Sequence, residues 1–166
     1  TKKNLNLPEG DFIFCCFNTI TKILPSILKL WADILKQVPN SVLWLISESD
    51  KVKNNLKKEF EKKNVDPKRI IFSNKVPISE HLARIKYADL FLDTFPYNAH
   101  TSCSDSIWAG LPLVTIQGES FQSRVASSLL KTSDLKDLIA KNEKEYVDIA
   151  VYIAKNKNHL NHLKNK

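Results

Sequence analysis

Residues 100–105, with the sequence HTSCSD, place a histidine, three hydroxyl groups and a carboxylate at the predicted start of a helix. The first backbone N–H groups of a helix are unpaired and its dipole is positive there, so this end can hold a phosphate. Thr101 and Ser102, following His100, add hydroxyl donors, whereas Asp105 is better suited to accept hydrogen bonds from ribose. The alternative is that these side chains only cap the helix or favour its dipole. The pattern therefore leaves two interpretations, a nucleotide-phosphate site and an ordinary N-cap.

Four further candidate residues follow other predicted strands. Thr19 and Lys22 come after the first strand, and His81 with Arg84 one helical turn later come after the third. Ligands of open α/β sheets bind at the carboxyl ends of the strands, so these side chains are expected along one edge. Lys22 would neutralise a phosphate, His81 would stack on a base and Arg84 would donate to the carbonyl edge of that base. These residue types predict a nucleoside diphosphate site, although Lys22 could also be a solvated lysine that precedes a helix.

Other motifs are weak or absent. Three glycines are too few for a P-loop or a G-x-G-x-x-G turn. His159 and His162 have no cysteine or acidic partner nearby, so no metal site is predicted. Cys15, Cys16 and Cys103 lack metal-ligand spacing, and the adjacent pair lies in an apolar run. This usage indicates buried thiols and a reducing compartment, the cytoplasm, without a disulfide framework.

The elements that must position these residues alternate along the chain. Short, nearly continuous apolar runs predict strands that are covered on both faces, as in a parallel sheet; they span 12–17, 42–46, 69–73, 89–94 and 113–116. Helical patterns lie between and after them; they span 25–38, 51–64, 79–88, 101–110, 121–131, 133–142 and 142–166.

This alternation predicts an α/β fold, a single Rossmann-like domain with a parallel sheet of about five or six strands flanked by helices. Residues 1–10 are expected to be a cut point or linker, 11–140 the domain, and 141–166 a C-terminal helix whose last dozen residues fray. All three tryptophans fall on apolar faces or strands, so we expect Trp31, Trp44 and Trp108 in the core.

The chain is basic but otherwise ordinary in composition. Its 166 residues are 43% apolar and 26% charged, with a formal net charge of +7. The lysines concentrate in 51–63 and 155–166 and are not interleaved with aromatic residues, which favours a solvated face over a nucleic-acid surface. A polyanion surface stays open as the alternative. No apolar run is long enough to cross a bilayer, so no membrane association is expected.

Three longer segments carry a family resemblance. Residues 7–46 (LPEGDFIFCCFNTITK and onward), 69–115 (RIIFSNKVPISEHLARIKYADLFLDTFPYNAHTSCSDSIWAGLPLVT) and 118–130 (GESFQSRVASSLL) closely resemble the C-terminal half of the catalytic region of O-linked N-acetylglucosamine transferases. That family also includes Spindly-type O-fucosyltransferases and bacterial N-glucosyltransferases. The resemblance covers roughly residues 7–155.

The resemblance implies the second half of a GT-B glycosyltransferase, which holds the nucleotide sugar. It implies an inverting, metal-independent transfer from a UDP-sugar, UDP-N-acetylglucosamine above all, to a protein hydroxyl. The first catalytic half, a run of TPR repeats and the acceptor protein would be its partners. This chain alone would bind UDP without turnover. The alternative is a non-catalytic nucleotide- or polyanion-binding module of the same fold.

The resemblance also implies a role for each matching residue. Lys22 would contact the diphosphate during catalysis, His81 and Arg84 would surround the uracil, His100, Thr101 and Ser102 would hold the β-phosphate, and Asp105 would bind the ribose. The sequence departs from the family pattern at Thr19, where glutamine is usual, and at Ile78, where lysine is common.

Overall fold

A six-stranded parallel sheet forms the centre of the computed structural model, which describes residues 1–166. Its strands are β1 Phe12–Cys16, β2 Ser41–Ile46, β3 Ile70–Ser73, β4 Leu90–Leu92, β5 Leu113–Ile116 and β6 Ile139–Ala140. They lie in the order β3-β2-β1-β4-β5-β6, and every neighbouring pair is parallel. The order reverses between β1 and β4, as in a doubly wound sheet. The predicted α/β, Rossmann-like fold is confirmed.

Seven α-helices flank this sheet. They are α1 Pro25–Gln37, α2 Asp50–Glu61, α3 Ile78–Ile85, α4 Thr101–Trp108, α5 Val125–Thr132, α6 Glu143–Lys155 and α7 Lys157–Lys164. Side-chain caps explain several starts: Asn142 Oδ1 accepts from Glu145 N at 2.9 Å before α6, and Asn156 Oδ1 accepts from His159 N at 3.0 Å before α7. None of the helices combines the length and apolarity needed to span a membrane.

The predicted helix over 133–142 is wrong. This stretch contains the short 3-10 turn Lys136–Leu138 and then β6. Ile139 and Ala140 pair with Thr115 and Ile116 of β5. Two residues are too few to show a strand period, and pairing with β5 outweighs the local helical preference.

The C-terminal segment also differs from the single, fraying helix expected over 141–166. It forms α6 and α7, divided at Asn156, whose side chain caps the second helix. The end of α7 packs against the domain, because Leu160 and Leu163 are buried and Lys164 Nζ contacts Asp89 Oδ1 at 2.9 Å. The structure therefore has helix as far as Lys164 where fraying was predicted.

Two of the three tryptophans occupy the core. Trp31 and Trp44 are fully buried, as predicted, whereas Trp108 is 85% exposed, so its predicted core position is wrong. The buried face of α4 is formed by the small residues Cys103 and Ser106, and Trp108 lies on another side of this helix. The adjacent thiols predicted to be buried are so, and all three cysteines are unpaired.

Tyr146 connects α6 to α1 and to the end of β4. Its hydroxyl accepts a hydrogen bond from Trp31 Nε1 at 3.1 Å and donates one to the carbonyl of Asp93 at 2.8 Å. All three residues are buried. The hydroxyl is thus the shared partner of two buried polar groups, and its loss would leave both without a hydrogen bond.

We expect Tyr146→Phe to lower the free energy of unfolding by about 1–3 kcal/mol, because two buried polar groups lose their partner. Equilibrium urea unfolding measures this change. The matched control is Tyr152→Phe on the same helix, where the ring is 55% exposed, and a change within about 0.5 kcal/mol is expected there. Equal effects of the two substitutions would contradict this role of the Tyr146 hydroxyl.

Candidate functional site

The predicted site residues all lie along the carboxyl edge of the sheet. Thr19 and Lys22 follow β1, and His81 lies in the first turn of α3, which follows β3. His100 directly precedes α4, and Thr101 begins this helix, which follows β4. Because β1 and β4 are neighbours at the point where the strand order reverses, the structure brings these connections together.

One cavity on this edge, of about 540 Å³, contains the candidates for base recognition. Phe17, Thr19, His81 and Arg84 are among the residues that line it. The imidazole of His81 meets the ring of Phe17 edge to face, with 5.0 Å between ring centroids. Thr19 is exposed at the cavity. The combination of a partly apolar wall and a few polar groups suits a planar heterocycle.

Arg84 supports His81 from inside the protein. Its Nε donates to His81 Nδ1 at 3.2 Å and its Nη1 donates to the carbonyl of Asn74 at 2.8 Å. Burial and the Arg84 charge lower the pKa of His81, while Asp105 acts in the opposite direction. The ring is therefore neutral at pH 7, and its proton lies on Nε2 because Nδ1 accepts from Arg84. The Arg84 Nη2 group is buried and has no hydrogen-bond partner within the chain. Direct contact between Arg84 and a base stays a prediction.

Lys22 is fixed against the loop that precedes α4. Its Nζ donates to the carbonyl of Asn98 at 2.9 Å and lies 4.0 Å from the centroid of the Tyr97 ring. Partial burial lowers the pKa of Lys22, and the nearby carboxylate of Asp93 opposes this effect. The ammonium group is thus bonded to a residue that lies two positions before His100 in the sequence, close to the start of α4.

The start of α4 has no side-chain cap. His100 is the N-cap residue, yet no side chain there bonds to the amides of the first turn. The backbone amides of Cys103 and Ser104 bond to the carbonyl of His100, at 3.1 and 3.2 Å. Thr101 is exposed and Ser102 is partly exposed. The N-cap interpretation therefore does not explain these hydroxyl residues, and the first amides of α4 remain available.

His100 carries an unsatisfied nitrogen at the same place. Its Nε2 is buried and has no hydrogen-bond partner. The ring lies between two aromatic side chains, with its centroid 5.3 Å from that of Tyr97 and 6.1 Å from that of Phe121. Buried polar atoms usually have a partner in native structures, so this nitrogen is free to bond to a ligand or to water.

Asp93 is the residue of this region that the sequence analysis missed. Its carboxylate is fully buried and accepts four hydrogen bonds, from Asn18 Nδ2 at 3.1 Å, Thr94 N at 2.7 Å, Ala99 N at 2.7 Å and Thr115 Oγ1 at 2.6 Å. Burial raises its pKa from 3.8 to about 6, although the hydrogen bonds oppose this rise. The available signal was an acidic residue in the apolar run LFLDTF, because carboxylates are rarely buried without a specific partner.

The bonds to Asp93 connect the elements that carry the candidate residues. Asn18 lies between β1 and Lys22, Ala99 directly precedes His100, and Thr115 belongs to β5. A single carboxylate thereby sets the relative position of the β1 connection and the start of α4. No group of three or more histidine, cysteine, aspartate or glutamate side chains lies close enough to hold a metal ion.

Comparison with known proteins identifies related sequences along the whole chain. The model of a family described as glycosyl transferase family 41 matches residues 1–166. The chain is 39% identical over 166 residues to the UDP-N-acetylglucosamine--peptide N-acetylglucosaminyltransferase of Caenorhabditis elegans. This match covers 100% of this chain and 14% of that protein. The chain is also 39% identical over 157 residues to a probable UDP-N-acetylglucosamine--peptide N-acetylglucosaminyltransferase, SEC, of Arabidopsis thaliana, and the match covers 94% of this chain and 16% of that protein. The chain therefore spans less than a fifth of either relative.

Solved structures extend the comparison to the fold. A mutant O-GlcNAc transferase of Thermobaculum terrenum superposes with a TM-score of 0.92 at 32% identity, over 95% of this chain and 31% of that chain. The C-terminal CMP-Kdo binding domain of WaaA from Acinetobacter baumannii gives a TM-score of 0.63 at 10% identity, over 99% and 90%. The second likeness concerns the fold alone, in a domain of similar extent.

Asp93 should make stability depend on pH. Its folded pKa of about 6 lies above the unfolded value of 3.8. Between these values the folded protein binds a proton that the unfolded chain has lost, so this contribution falls as the pH rises through the window. Asp93→Asn cannot titrate, so the stability of the variant relative to the parent should rise by at most about 3 kcal/mol from pH 4 to pH 7.

Urea unfolding at several pH values measures the difference. Asp137→Asn is the matched control, since Asp137 is exposed, and the parent and this variant should show the same pH dependence. If the Asp93 variant keeps the pH dependence of the parent, the buried carboxylate does not titrate in this window.

Proposed function

The chain belongs to glycosyl transferase family 41, and we propose that it is the nucleotide-sugar-binding half of an inverting, metal-independent protein O-glycosyltransferase. The related N-acetylglucosaminyltransferases support UDP-N-acetylglucosamine as the donor and a peptide as the acceptor. Residues 11–140 are the proposed donor-binding domain, 1–10 a linker and 141–166 a C-terminal helical segment. The proposal includes a first Rossmann-like half and TPR repeats as partners.

The arrangement at the start of α4 carries this proposal. The first amides lack side-chain caps, the Lys22 ammonium lies over the Tyr97 ring, and the buried Nε2 of His100 has no partner. A helix start, a cation and a ring nitrogen that carries a proton can all donate to anionic oxygens. Because they occur together at one edge of the sheet, a diphosphate fits this position better than a neutral ligand.

Lys22 is the proposed catalytic residue, in contact with the leaving diphosphate. One of its N–H groups is used by the carbonyl of Asn98, which fixes the ammonium and leaves two donors for phosphate oxygens. Negative charge develops on the diphosphate as the bond to the sugar breaks. Lys22, His100, Thr101 and Ser102 would stabilise that charge from positions fixed in advance, which lowers the barrier more than mobile water does.

The nucleoside would occupy the cavity beside this group. His81 would stack on the uracil with a neutral ring, since burial and Arg84 lower its pKa. Arg84 would act mainly by holding His81 in place through the bond to Nδ1. Asp105, close enough to influence His81, would accept hydrogen bonds from ribose hydroxyls. Thr19 would contact the nucleotide at the edge of the cavity.

We expect Lys22→Ala to weaken UDP binding by about 10–100-fold, because a hydrogen bond to a charged group contributes about 1.5–3 kcal/mol. Isothermal titration of the 166-residue chain with UDP measures the affinity, with the exposed Lys51→Ala as control. UMP has no β-phosphate, so its affinity should change less than about threefold. Equal binding of UDP and GDP, unaffected by Lys22→Ala, would contradict the proposal. Tight, salt-sensitive RNA binding without nucleotide preference would favour the polyanion-binding alternative.

The isolated chain should bind UDP without transferring sugar. The candidate residues hold the donor, and the general base is proposed to lie in the first catalytic half. Incubation with UDP-N-acetylglucosamine and an acceptor peptide should therefore release no UDP above the hydrolysis seen without protein. Peptide glycosylation by this chain alone, detected by mass spectrometry, would show that the proposed division of roles is wrong.

A further inference from the structure

A second, larger cavity of about 760 Å³ lies beyond the proposed donor site. It is lined by Gln117, Lys131, Thr132, Lys136, Ile139 and Lys141. The three lysines come from α5, from the short 3-10 turn before β6 and from the residue after β6. Lysines of a solvated helix face recur along one element, whereas these converge from three separate segments on one concavity.

This cavity opens on the same sheet edge as the donor site. Gln117 directly follows β5 and Lys141 directly follows β6. The two strands are parallel neighbours, and the amide of Gln117 donates to the carbonyl of Ala140 at 3.0 Å. Both residues therefore lie at carboxyl ends of strands, where ligands of open α/β sheets bind.

An adjoining cavity of about 500 Å³ lies next to the first. It shares Gln117 and Lys131 with the first cavity and adds Arg124 and Phe121 to the lining. The ring centroid of Phe121 is 6.1 Å from that of His100. The linings of the two cavities thus extend from Phe121, next to His100, to Lys141. We name the part of these linings that contains Arg124, Lys131, Lys136 and Lys141 the basic groove.

The side-chain cations of the basic groove form no ion pair within the chain, although the Glu145 carboxylate accepts from the Lys141 backbone amide at 2.7 Å. No carboxylate lines either cavity. Lys131 Nζ donates to the neutral Oε1 of Gln117 at 2.8 Å. Lys136 is near enough to Asp134 to lower the pKa of that carboxyl, but Asp134 already pairs with Lys166 at 3.0 Å. The four cations therefore remain available to an external anion.

We propose that the basic groove binds an acidic segment of the protein acceptor and so favours hydroxyl groups flanked by aspartate, glutamate or phosphorylated residues. Naming the occupant as the acceptor rests on the proposed function, since an acceptor hydroxyl must reach the sugar near His100. A single-stranded nucleic acid fits the groove less well. Such ligands stack on successive aromatic side chains, and the groove offers only Phe121, at one end.

The test uses the whole 166-residue chain and a fluorescently labelled peptide of about ten residues that alternates glutamate and serine. A matched variant reverses three groove charges: Lys131→Glu, Lys136→Glu and Lys141→Glu. The control reverses three exposed lysines elsewhere: Lys51→Glu, Lys58→Glu and Lys155→Glu. Both variants have the same net charge, so a difference between them reports position. Anisotropy at low salt measures peptide affinity, and calorimetry measures UDP affinity in parallel.

The groove variant should bind the acidic peptide about tenfold more weakly than the parent, since three exposed ion pairs together contribute roughly one factor of ten. The control variant should lose less than about threefold, and both should keep the UDP affinity of the parent. Equal losses in the two variants would overturn the proposal, as would tighter binding of an RNA of the same length and charge. Absence of UDP binding in the parent would contradict the proposed function alone, because peptide binding is measured without nucleotide.

Discussion

The buried carboxylate of Asp93 fixes the geometry on which the site depends. It lies at the end of β4 and accepts hydrogen bonds from the β1 connection, from the loop before α4 and from β5. Burying a carboxylate is costly unless donors surround it. The hydrogen bonds that offset this cost form only when the segments that supply the donors hold fixed positions around the carboxylate. The carboxylate therefore sets both the position of α4 and the position of the β1 connection that carries Lys22.

The charge of Asp93 also matters for the chemistry of its neighbour. Partial burial favours the neutral form of Lys22, whereas ionised Asp93 favours the ammonium form. At pH 7, above the Asp93 pKa of about 6, the ionised carboxylate favours the charged form of Lys22. A lysine held in its charged form beside an uncapped helix start suits the stabilisation of a departing diphosphate. In the proposed reaction, the buried acid would therefore act through Lys22.

Features that the sequence predicts are those with a local pattern. The first five strands are continuous apolar runs, and His81 and His100 follow strands, so their edge of the sheet could be predicted. β6 could not be predicted, because its two residues are too few to show a periodic pattern. They form a strand only by pairing with β5 in the folded chain. Trp108 is exposed because α4 packs against the protein through its small residues Cys103 and Ser106. The basic groove escaped prediction because residues 133–142 were predicted to be a helix, whereas the turn Lys136–Leu138 and β6 bring its lysines to one cavity.

We propose that a diphosphate binds at the first turn of α4 beside Lys22, and every other assignment at the site follows from this position. The most direct measurement is a ¹⁵N–¹H NMR titration of this 19.0 kDa chain with UDP. We expect the amides of Thr101 and Ser102 to shift most, together with those around Lys22, and UMP to shift them much less. Shifts confined to residues far from this edge, or equal shifts with UMP, would contradict this proposal.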